Sequence, residues 1–67
     1  MNYEINVSYK GEHYFATAER SITTKKHCVE LLLKSREAFP KAKGYEISVT
    51  RWEKVGYLIN LTELLEP

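Results

Sequence analysis

The sequence predicts a single α+β domain of order ββαββ, a four-stranded antiparallel sheet with one helix packed on one face. Three observations carry that prediction. Apolar residues alternate with polar ones near each end of the chain, the pattern of strands with one buried and one wet face. Between them the apolar spacing changes to that of a helix. Each change of period coincides with glycine, proline or a hydroxyl-rich stretch.

The first strand is the clearest element. Tyr3, Ile5, Val7 and Tyr9 alternate with Asn2, Glu4, Asn6, Ser8 and Lys10. Lys10-Gly11-Glu12 then supplies a turn, and a second strand from His13 to about Arg20 closes a hairpin over residues 1–20. Two registers compete for that strand. A two-residue turn sets Val7 against Tyr14 and Ile5 against Ala16, whereas a glycine-bulge turn puts Phe15 and Thr17 inside. The first is preferred, because Ala16 and Ala18 would let a helix approach the sheet closely. On that register Phe15 faces away from the helix.

Ser21-Ile22-Thr23-Thr24 breaks the alternation and offers threonine N-caps. Cys28, Leu31, Leu32, Ser35 and Phe39 then fall at i, i+3, i+4, i+7 and i+11, one helical face, which Val29 and Leu33 widen. Pro40 ends this helix, placed at residues 24–39, because the residue before proline is biased away from helical geometry. Tyr45, Ile47 and Val49 begin a third strand that reaches about Trp52. Tyr57, Ile59 and Leu61 mark a fourth, giving a second hairpin over 45–61. Val49 and Ile59 share a face only if the connecting loop is odd in length, about five residues. The tail 62–67 either starts a helical turn at Thr62 or frays. A β2-α-β3 crossover that sets β3 beside β1 gives the strand order 2-1-3-4.

Composition narrows the function. At 67 residues, with 43% hydrophobic and 28% charged, the chain is an ordinary globular domain with a thin core. So small a core leaves little to wall a deep pocket, which argues against an enzyme. Ten Lys and Arg against nine Asp and Glu give a net charge of +1, unlike the strong basicity of dedicated nucleic-acid binders. A single cysteine excludes an internal disulfide. No apolar stretch is long enough to span a membrane, and Met1-Asn2-Tyr3-Glu4 lacks a signal pattern, so the expected location is the cytoplasm.

No catalytic or cofactor-binding set stands out. Cys28 adjoins His27, but neighbouring helix positions point about 100° apart and form no chelate. A structural zinc site wants four ligands in paired spacings, which this chain lacks. The serines have no nucleophile-elbow context, and Gly11, Gly44 and Gly56 are each explained by a turn. The aromatics say more. Tyr3, Tyr9, Tyr14, Tyr45 and Tyr57 suit core faces near the sheet edges. Phe15 and Trp52, on the preferred registers, both face away from the helix. With Arg20, Arg51, Lys54 and His13 they outline an aromatic-basic patch suited to a protein partner. The same patch could stack single-stranded nucleic acid or be buried in a homodimer. Trp52 could equally do no more than cover a turn or an edge strand.

Tyr14-Phe15-Ala16-Thr17 with Glu19 in a strand, a following helix, and Gly44-Tyr45-Glu46 leading to Thr50-Arg51 give a layout that resembles the small RNA-polymerase inhibitor of T7-like phages. That resemblance implies a phage or prophage accessory protein that binds a host protein through the strand after the helix. Arg51 matches the first of that family's two polymerase-touching arginines, and the second position is Glu53 here. The reading that combines these observations is a non-enzymatic module acting on an unidentified host protein through Phe15, Arg51, Trp52, Lys54, Arg20 and His13.

Overall fold

The computed structural model describes residues 1–17 and 21–65. Strands β1 (Asn2–Tyr9), β2 (Glu12–Ala16), β3 (Tyr45–Trp52) and β4 (Gly56–Ile59) form one antiparallel sheet in the order β2-β1-β3-β4. Helix α1 (Lys25–Ala38) packs on one face, and a short helix α2 (Leu61–Leu65) follows β4. This is the predicted ββαββ sheet-and-helix architecture, with one helical turn added at the end.

The odd-numbered residues of β1 supply the core. Tyr3, Ile5 and Val7 are buried together with Ile22, Cys28, Leu32, Val49 and Leu64. Among the described residues no polar or charged side chain is buried. Even-numbered residues of β1 and β3 line the opposite face, which α1 leaves uncovered. Desolvation pushes the Cys28 thiol above its ordinary pKa, as expected for an inert core cysteine rather than a nucleophile.

Helix α1 begins where local chemistry says it should. Thr24, extended at φ −126° and ψ 150°, accepts a hydrogen bond on its side chain from the His27 N–H at 3.2 Å. That cap matters because Lys25 and Lys26 open the helix and no acidic residue in the first turn offsets its dipole. At the other end the Phe39 N–H donates to the Ser35 carbonyl, and Pro40 stops propagation. Only Cys28 and Leu32 of α1 are fully buried. Leu33, expected to widen the apolar stripe, is half exposed.

The second strand corrects the sequence reading. Its turn is the two-residue kind, with Lys10 and Gly11 both at positive φ (50° and 86°), so Tyr9 pairs with Glu12 and Ser8 with His13. The register then shifts by one residue, and Val7 pairs with Phe15 instead of Tyr14. Tyr14 is the extra residue of a β-bulge. Phe15 therefore lies on the helix side and stacks on Phe39 at 6.0 Å, while Ala16 pairs with Asn6 on the opposite face. The expectation that Phe15 faced away and Ala16 faced the helix fails, because a bulge inside the strand reverses the parity its turn had set. Among the described residues β2 stops at Ala16, and Ala18, Glu19 and Arg20 lie outside them.

Two other elements differ from expectation. Ile22, read only as part of a break, is fully buried and bridges Tyr3, whose N–H donates to its carbonyl at 2.8 Å. The β3–β4 loop is odd as required, three residues rather than five, and Val49 pairs with Ile59. Leu61 leaves the strand to begin α2, which Asn60 caps by accepting from the Thr62 N–H at 2.9 Å. Leu64 thereby reaches the core.

Leu32 and Leu33 are adjacent in sequence and opposite in environment. Leu32→Ala is expected to cost about 2–5 kcal/mol, and Leu33→Ala about 0.5 kcal/mol or less. Urea denaturation of the two variants beside the wild type measures the difference.

Candidate functional site

The six residues singled out from sequence do not share a face. Phe15 lies on the helix side. His13 lies opposite Ser8 on edge strand β2, and Ser8 in turn faces Glu46, six residues along β3 from Trp52. At ~3.3 Å per residue that separates His13 from Trp52 by roughly 20 Å along the sheet alone. Arg20 lies outside the described residues. Arg51, Trp52 and Lys54 remain together on the β3–β4 hairpin.

Trp52 and Arg51 point to opposite faces of that hairpin. Trp52 pairs with Gly56 on the uncovered face, and its indole crosses onto β4. A Cβ built on Gly56 would stand only 2.8 and 2.9 Å from Trp52 Cζ3 and Cη2, so glycine there is what lets the ring lie down. Trp52 thus covers an edge glycine and still leaves 40% of its surface in solvent. Arg51 turns toward the helix side, where its guanidinium sits over the Tyr57 ring at 5.6 Å. Its Nε is shielded without a hydrogen bond and lies 3.9 Å from Glu53 Oε1. Both side chains of that pair are over 40% exposed, so the pair itself contributes little.

The hairpin exposes several large apolar side chains besides Trp52. Val55 is 55% exposed, Tyr57 47% and Leu58 77%. Leu58 pairs with Thr50 on the same face as Trp52. Elsewhere that face is polar: Asn2, Glu4, Asn6, Ser8, Glu46 and Ser48, with Asn6 Nδ2 donating to Glu4 Oε1 at 3.0 Å. The sequence reading found Trp52 but passed over Val55 and Leu58. A three-residue loop and a four-residue edge strand simply have no second layer to bury them.

The opposite end of the sheet holds five aromatics. Tyr9, Tyr14 and Tyr45 come together with Phe39, at centroid distances from 4.8 to 6.4 Å, and Phe15 completes the group. The cluster closes the gap where α1 ends, and the Tyr14 bulge is what brings two consecutive aromatics into it. Desolvation, then the neighbouring Tyr14 and Tyr9, pushes the Tyr45 phenol above its ordinary value. Beside the cluster runs an open groove of about 710 Å³, lined by Arg36, Phe39, Lys41, Tyr45, Ile47 and Leu61 among others.

Among the described residues no group of three or more His, Cys, Asp and Glu is arranged to hold a metal ion, and no helix is long and apolar enough to cross a membrane. No protein-family model, curated protein or solved structure matches the chain.

Gly56→Ala is expected to lift the only tryptophan off β4 and shift its fluorescence emission to longer wavelength. Unchanged emission would mean that the indole does not rest on Gly56. Tyr45 supplies a second test. Its raised pKa means the folded state keeps the phenol protonated after the unfolded chain has begun to ionise near the ordinary value of 10.0. The stability it contributes is whole below that value and is lost as pH rises through the folded pKa. Denaturation midpoints above about pH 10 should therefore fall less steeply in Tyr45→Phe than in the wild type.

Proposed function

We propose that this domain is a non-enzymatic, cytoplasmic protein-binding module of phage or mobile-element type, which modulates a host protein through its β3–β4 hairpin. The observation that carries the reading is the cluster of Trp52, Val55, Tyr57 and Leu58, all substantially exposed within seven consecutive residues and flanked by Arg51 and Lys54. Tryptophan and arginine are residue types that dominate interface energetics, and the hairpin presents Trp52 on one face and Arg51 on the other. The aromatic-basic face first inferred becomes an aromatic-basic hairpin, keeping Arg51, Trp52 and Lys54 and releasing Phe15 to the helix side and His13 to the far edge.

The placement of the aromatics favours a protein partner over nucleic acid. A stacking platform needs aromatics presented on one accessible surface, and Phe15 and Trp52 lie on opposite faces of the sheet. Glu4 and Glu46 add negative charge to the face that carries Trp52.

A photo-activatable side chain at position 55 tests the reading directly. Irradiation in a bacterial lysate should join the domain to one host protein, and the adduct should be lost in an Arg51→Glu/Lys54→Glu double variant. Trp52→Ala should weaken the same association by about 2 kcal/mol. If no foreign protein is joined more strongly to the wild type than to the double variant, the host-binding reading is wrong.

A further inference from the structure

We infer that the open edge of β4 pairs with β4 of a second copy, making a two-fold dimer with a continuous eight-stranded sheet. The inference rests on the hairpin being a contact surface and names a second copy as the occupant of its edge.

The backbone hydrogen bonds fix which groups are free. The Tyr3 N–H donates to Ile22 O, and the Ile5 N–H to Thr17 Oγ1, so both residues turn their main chain away from β3. Their partners Arg51 and Val49 must then turn theirs toward β4, onto Tyr57 and Ile59. The Glu53 N–H bond to Val55 O at 3.1 Å closes the ring around Trp52 and Gly56 and agrees with that phase. Gly56 and Leu58 therefore direct N–H and C=O outward. Among the described residues no strand lies beyond them.

The two edges of the sheet are not alike. β2 is guarded: it opens on the charged Glu12, and the Tyr14 bulge interrupts its run. Such charges and bulges are how edge strands avoid pairing with other chains. β4 has neither. Val55-Gly56-Tyr57-Leu58-Ile59 contains no charged residue, and the pairing of β4 with β3 runs from Gly56 to Ile59 without a shift in register.

The side chains favour self-pairing in one register. An antiparallel two-fold pair must set each residue against one of the same parity. Centring it on Tyr57 places Leu58 opposite Gly56 of the second copy, and the reverse, using all four outward groups of each strand. Leu58, the most exposed large apolar residue, then meets the one position on β4 that has no side chain. It lands against the Trp52 indole that lies across that glycine. A knob and the indole surface that receives it are thus carried by the same hairpin. That is the self-complementarity an isologous interface requires.

Sedimentation over a concentration series, with site-directed cross-linking, tests the dimer. The wild type should pass from monomer to dimer as concentration rises. Leu58→Pro removes an N–H that points to open edge, so the monomer should stay folded by circular dichroism while dimerisation weakens roughly tenfold or more. Leu58→Lys should do the same. In a Cys28→Ser background, Tyr57→Cys should oxidise readily to a disulfide dimer, because position 57 pairs with itself, and Leu58→Cys should not. A wild type that stays monomeric, or a dimer that survives Leu58→Pro and Leu58→Lys, overturns the inference. A foreign adduct from position 55 in a strictly monomeric protein would keep the host-binding reading and reject the dimer.

Discussion

Eight residue pairs, from Asn2 opposite Trp52 to Tyr9 opposite Tyr45, hold the two halves of the domain together. Neither hairpin could be stable alone, since an isolated two-stranded hairpin is marginal at best in water. Joined along β1 and β3, they bring Ile5 against Val49 and Val7 against Ile47 in one apolar row that α1 covers. The same pairing places Trp52 at the end of the sheet where β1 runs out. It also makes β2 and β4 the edges. What is buried, what is open and where the hairpin projects all follow from that central pair.

Much of this was legible in the residues. Alternation is a local property, and β1, β3 and the helix read correctly because each repeats its pattern over several turns or pleats. The second strand did not, and the reason is physical. Its turn obeyed the two-residue rule, but Tyr14 was inserted as a bulge two residues later. No local signal distinguishes a bulged Tyr14-Phe15 from a regular pair, since both residues are aromatic and both suit either face. The bulge is stabilised by Phe39 and Tyr45, residues far away in the chain. Ile22 was missed for a related reason: a single buried residue between hydroxyl side chains has no period to detect.

The candidate surface was half legible. The alternation that begins at Tyr45 runs unbroken along β3 and places Trp52 on the uncovered face. Grouping Trp52 with Phe15 and His13 required the register of β2, where the alternation failed. Val55 and Leu58 were invisible as surface residues because their types are those of a core. Their exposure comes from the sheet ending at β4, an edge position that the strand order 2-1-3-4 gives and residue type does not. The contrast between a guarded edge at β2 and an unguarded one at β4 is likewise a property of the assembled sheet.

The central pairing has a consequence for how the chain is made. β1 leaves the ribosome before its partner β3, which does not begin until Tyr45. At roughly 5–20 residues per second, several seconds pass before the two can meet. Until then the N-terminal hairpin has the row of Tyr3, Ile5 and Val7 without its cover, and contacts this remote in sequence are slow to close. The nascent chain is therefore most exposed to wrong partners between the synthesis of β1 and that of β3. The charge of Glu12, with the bulge two residues on, guards an edge that forms during that interval.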